Sequence, residues 1–153
     1  MKAKRYEAFS LIEILVVVAL IIILATITIV AINPGKNFRD TRNAQRSSDV
    51  NAILSAVTQF TTDGNPLPET VIDCEGTGGV AQAAKIGTAE GNVDLADLLT
   101  SEGTKGNDYI VTIPLDPQPA GTEANTGYTI CKIGTRIQIA APNAEGKEIV
   151  VRR

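Results

Sequence analysis

The chain has no histidine and no tryptophan, and only two cysteines, three tyrosines and three phenylalanines among its 153 residues. Without imidazole, the commonest general acid–base is missing. No serine sits in a nucleophile-elbow pattern either, so catalysis is not expected. Few aromatics in a stretch rich in Thr, Gly, Asn and Ala mean that the part beyond residue 33 buries little apolar area. It is expected to lean on a cross-link or on neighbouring subunits. A basic excess is lacking too. The formal charge is −3, far from the balance of a dedicated nucleic-acid binder. The length allows one domain plus a membrane segment, not two good cores.

What is present is one long apolar run. Residues 9–32 read FSLIEILVVVALIIILATITIVAI, in which only Ser10, Glu13, Thr26 and Thr28 carry polar atoms. Such a run crosses a bilayer core as a single helix. An ionised acid near its start costs about 2–4 kcal/mol, depending on depth, and no cation lies within the run. A cut between Ala8 and Phe9 would create an α-ammonium one helical turn from Glu13, and a neighbouring copy could offer its own ammonium to that acid. The pattern points to a subunit made to polymerise. An ordinary cleaved signal peptide fits less well, because the run is long and ends without a clear small-x-small site. A plain single-span anchor leaves Glu13 unexplained.

The stretch Ala8-Phe9-Ser10-Leu11-Ile12-Glu13-Ile14-Leu15-Val16-Val17-Val18, behind a basic head of Lys2, Lys4 and Arg5, resembles the class III signal of type IV pilins and pseudopilins. The close motif covers about residues 4–32. The resemblance implies that a membrane-embedded prepilin peptidase cuts between Ala8 and Phe9, that Phe9 is then N-methylated, and that Glu13 acts in assembly. The family usually has Gly where this chain has Ala8, and Tyr6 and Glu7 are uncommon there. It also implies the partners: membrane lipid before assembly, the pilus assembly machinery, and further copies of the same chain in a helical homopolymer. The expected location is the cytoplasmic membrane, single-pass, and afterwards an extracellular pilus. Residues 1–8 carry a net +2, so their removal takes the formal charge from −3 to −5. Counting Lys and Arg does not orient the span, because Lys36, Arg39, Arg42 and Arg46 follow it. The outward placement of the C-terminal part rests on the resemblance and on the cysteines. Cys74 and Cys131, an isolated pair behind a membrane signal, read as a disulfide in an oxidising compartment.

The expected fold is α+β and pilin-like. A long N-terminal helix, with a membrane-spanning half and an amphipathic half, packs on a small antiparallel sheet. The chain divides into a leader (1–8), a transmembrane or filament-core helix (9–33), an amphipathic helix after a Pro-Gly break (34–63) and a loop-rich head (64–153). Asn33-Pro34-Gly35 predicts a kink or a short melted stretch, with helix resuming near Lys36. Val50, Ile53, Leu54, Val57 and Phe60 or Thr61 form the stripe that faces the sheet, and Asp63-Gly64-Asn65-Pro66 supplies the stop. Residues 94–101 read as a short helix, with Asn92 as its cap. Residues 109–113 read as extended, and strands are expected at 128–132, 136–141 and 148–152.

Three weaker signals remain. The Gly-rich run at 75–79 lacks the lysine and setting of a phosphate loop and reads as a surface loop. Asp108, Asp116 and Glu123, with Asn125, surround Pro114-Leu115-Asp116-Pro117. Such oxygen-rich loops suit calcium, and major pseudopilins bind calcium in a comparable loop, but Asp-Pro is also an ordinary turn. The turn reading is preferred, with no metal or cofactor assigned. The basic set Lys36, Arg39, Arg42 and Arg46 reads as a solvated or inter-subunit ion-paired face. Acidic lipid head groups are a second reading, and DNA capture is weakened by the absence of interleaved aromatics. By function the chain reads as a pilin whose filament serves adhesion, motility or DNA uptake. The alternatives are a type II secretion pseudopilin and a monomeric membrane-anchored binding domain.

Overall fold

The computed structural model of the chain describes residues 9–74, 83–98, 109–118 and 121–153. The leader, the glycine-rich run at 75–79, Leu99 and Asp108 therefore lie outside the described residues. Two compact units are present, one up to Phe38 and one from Arg39 onward.

The first unit is dominated by α1, Leu11–Ile32, of which no residue is buried. At about 1.5 Å per residue its 22 residues reach roughly 33 Å, enough for a bilayer core. By length and composition it is the one such helix among the described residues. Its β-branched side chains are poor helix formers in water. In lipid the helix is the arrangement that satisfies every backbone group from within the segment. The two threonines are satisfied the same way, Thr26 Oγ1 donating to the Ile22 carbonyl and Thr28 Oγ1 to that of Leu24, both at 2.8 Å. The break after α1 is tighter than expected. Only Asn33 leaves the helical region, at φ 46° and ψ 74°, a left-handed conformation that Asn tolerates. Its carbonyl accepts the amides of Lys36 and Asn37, and Pro34 opens α2, Pro34–Thr62. Proline fits because the first helical amide has no partner to lose.

From Arg39 onward, α2 lays Val50, Ile53, Leu54, Ala56 and Val57 into the core, the stripe expected from the spacing. It ends at Gly64 (φ 89°), with the Asn65 amide reaching back to the Phe60 carbonyl, a left-handed glycine stop. Phe60 is half-buried and meets Tyr109 edge-to-face at 5.5 Å. The opposing layer is a four-stranded antiparallel sheet in the order β1 (Ala84–Lys85), β2 (Thr129–Ile133), β3 (Arg136–Ala140), β4 (Val150–Arg152). Ile130, Ile137 and Ile139 pack toward α2 in the same cluster as Val71, Ile86, Val93, Leu95 and Leu98. The fold is α+β.

Three expectations change. β1 was not anticipated; at two residues it is too short to show a period. Residues 109–113 do not form a strand. Val111 points outward, and the Ile110 amide bonds instead to the Leu98 carbonyl. The outer edge of β2 where a further strand would add is already taken by β1 and by Asp73, which bridges Lys132. Of the helix expected at 94–101, the described residues show a single 3-10 turn at Ala96–Leu98. Its cap is Asp94, whose Oδ1 accepts the Ala96 amide at 2.9 Å, while Asn92 donates to the Ala124 carbonyl. Cys74 and Cys131 are bonded, with Cα atoms 5.1 Å apart. The bond holds the start of the connector alongside β2, where the Cys74 amide donates to the Lys132 carbonyl.

Candidate functional site

The residues singled out at the start of α1 are exposed and, among the described residues, unpaired. Ala8 is outside the described residues. Phe9 is 77% exposed, and Ser10 is the N-cap, extended at φ −76° and ψ 141°. Glu13 stands in the first turn, where the helix dipole favours a negative charge. Ser10-x-x-Glu13 also has the spacing of a capping box. The box is not formed, because the Ser10 side chain makes no capping bond. Among the described residues, no donor and no cation meets the Glu13 carboxylate. This end of the helix therefore combines an exposed apolar surface with an acid that has no partner among the described residues. Chemically it can accept a cation from outside its own helix.

The second polar constellation sits where a basic patch was expected, and the structure corrects that expectation. Lys36 and Arg39 are exposed, whereas Arg42 and Arg46 turn into the sheet-bearing unit. Arg46 has a side chain with no exposed area. It donates from Nε and Nη2 to the two carboxylate oxygens of Asp116 at 3.0 and 2.8 Å. Arg42 makes a similar fork to Glu145, at 2.6 and 2.7 Å. Asn43 bonds the Glu145 backbone in both directions, and Asp49 accepts from the Tyr128 hydroxyl at 2.6 Å. Asn43, Arg46 and Asp49 continue the buried face of α2 toward its N-terminus. The steps 43, 46, 50, 53 and 57 were the available signal, and their polarity hid it.

These pairings set the titration behaviour. Burial alone raises the Asp116 carboxyl, but the Arg46 fork, the Gln118 amide and Asn143 outweigh it and hold the group below the carboxylate range. The Arg42 fork, opposed by partial burial, likewise lowers Glu145. Burial first, and then the bond to Asp49, push the Tyr128 phenol up.

The same bonds decide the calcium question for Asp116. Its carboxylate accepts two bonds from Arg46, one from the Gln118 amide at 2.9 Å and one from Asn143 at 3.3 Å. Asn125 Oδ1 accepts the Gly127 amide, and Asp108 is outside the described residues. The described residues hold no group of three potential metal ligands. The Pro114 to Pro117 segment is tied to α2 through Asp116, and the turn follows at Pro117 and Gln118.

Comparison with protein-family models, with curated proteins and with solved structures gives no match to the chain.

Proposed function

We propose that the chain is a pilin, a non-catalytic structural subunit of a type IV pilus that polymerises through its N-terminal helix. The observation that carries the reading is α1 itself. It is apolar on every side, has no buried residue in the single chain, and bears in its first turn one acid without a partner among the described residues. A helix of this kind is stable in lipid or in the centre of a helix bundle, so it can exchange the first for the second. The motif around Ala8, Phe9 and Glu13 supports the direction of that exchange. Cleavage creates an ammonium at Phe9, and Glu13 of a docking copy compensates it once water is excluded. The sheet-bearing unit, cross-linked between Cys74 and Cys131, then lies on the outside of the polymer, where an oxidising medium preserves the bond.

Intact-mass analysis of the mature chain tests the processing, with N-methylated Phe9 expected as the first residue. Electron microscopy of cells making Glu13→Ala tests the pairing. The variant is expected to be synthesised and inserted normally but to yield few or no filaments. Wild-type filament numbers from Glu13→Ala would refute the pairing. Filaments built from chains that retain residues 1–8 would refute the pilin reading.

A further inference from the structure

A cavity of about 540 Å³ opens in the sheet-bearing unit beside the start of β2. Its wall is mainly aliphatic, with Leu95, Val111, Ile113 and Leu115, and the acidic residues Asp94 and Glu123 also line it. Val111 is 81% and Leu115 42% exposed, so apolar surface is left for something to cover. Neither Asp94 nor Glu123 has an ion-pair partner among the described residues. Residues 86–131 hold seven carboxylates against one cation, Lys105, whereas residues 132–153 hold five cations against two carboxylates.

The complementary surface stands at the other end of β2. The turn into β3 projects Ile133, which is 44% exposed, together with exposed Thr135 and Arg136. Arg136 has no ion-pair partner among the described residues. An aliphatic side chain beside a cation is the chemical counterpart of an aliphatic cavity with acidic residues in its lining. Thr126, in the cavity wall, precedes β2, and Ile133 closes it. The five-residue strand between them spans about 13 Å. A molecule therefore cannot reach its own cavity with its own turn. A contact between these two surfaces is heterologous, joining unlike patches of successive copies, and such contacts propagate into open polymers.

We propose that the β2–β3 turn of one copy docks in this cavity of a second copy, seating Ile133 against the aliphatic wall and Arg136 against Glu123 and Asp94. The inference rests on the polymeric reading and adds the head surfaces through which neighbouring subunits recognise one another. Each contact is small, and its strength comes from repetition along an assembly already held by α1.

The test uses the full-length chain, after filament formation by the wild type has been checked. Copies carrying Thr112→Cys, in the cavity wall, are mixed with copies carrying Thr135→Cys. A non-reducing gel verifies that the native disulfide is intact in each. The mixture is expected to cross-link far more than either variant alone. Introducing Glu123→Lys or Arg136→Glu is expected to lower the cross-link yield about threefold or more, and combining the two restores it. No cross-link within assembled filaments, single charge reversals that leave the yield unchanged, or a combination no better than the singles overturns the contact while leaving the pilin reading intact. Failure of the wild type to assemble at all overturns the pilin reading instead.

Discussion

Replacing Asp116 by Asn keeps the side-chain shape and removes the charge opposite Arg46. Both side chains of this pair have no exposed area, so water cannot take over. Arg46 is left with Asn43 at 3.2 Å and a long contact to Glu145 at 3.5 Å. Removing one partner of a buried pair costs about 3–5 kcal/mol, because the other charge stays desolvated. A domain of this size has a total stability of about 5–15 kcal/mol, so Asp116→Asn is expected to bring the sheet-bearing unit close to unfolding. Replacing both partners by apolar residues, Arg46→Met with Asp116→Leu, is expected to recover most of the loss, since no bare charge remains. Urea unfolding of the full chain in detergent, followed by far-UV circular dichroism, measures both. The pair has a pH signature as well. Asp116 is depressed in the folded state, so below about pH 4 the unfolded chain binds more protons than the folded one. The contribution is complete above that pH and is lost as pH falls through the folded-state value. Asp116→Asn removes this share of the acid slope and leaves the share from Glu145, which is also depressed. A cost under 1 kcal/mol, or a double variant as unstable as the single one, would refute the reasoning.

Two further outcomes follow from the same unit. Cys74→Ser is expected to destabilise it by about 4 kcal/mol on the chain-entropy model, given the 57-residue separation; an unchanged urea midpoint would count against that. Tyr128→Phe leaves Asp49 with Gln45 as its one donor among the described residues and is expected to cost about 1–3 kcal/mol. Because the Tyr128 phenol is raised by burial, its contribution is complete below about pH 10, the unfolded value, and is lost as pH rises through the folded one. The wild type should therefore lose stability in alkali more steeply than Tyr128→Phe. Parallel alkaline limbs would exclude this role.

Much of the architecture was legible because it follows from periodicity. The apolar run fixed α1 by length alone. The spacing of Val50, Ile53, Leu54 and Val57 named the buried face of α2, and alternation around Gly134 and Pro142 placed β2, β3 and β4 within one or two residues. The pairing of Cys74 with Cys131 was legible for a simpler reason, since two cysteines permit a single bond. Residues 109–113 misled because β propensity describes a side chain's fit to a sheet surface and not whether the segment reaches a sheet edge. Within residues 94–98 the start differed from what periodicity implied, because the cap is Asp94, two residues later in the chain than Asn92.

The chain alone determined the apolar helix, its single acid, the cysteine pair and the class of fold, because each depends on local composition and repeat. Tertiary structure alone decided the fate of the charges. Arg42, Arg46 and Asp116 look like surface residues in a linear reading, and only the approach of the 113–118 and 143–146 segments to α2 turns them into a clamp, fully buried at Arg46 and Asp116. Electrostatic pairing joins residues 70 to 103 positions apart, and no local pattern encodes a partner at that distance.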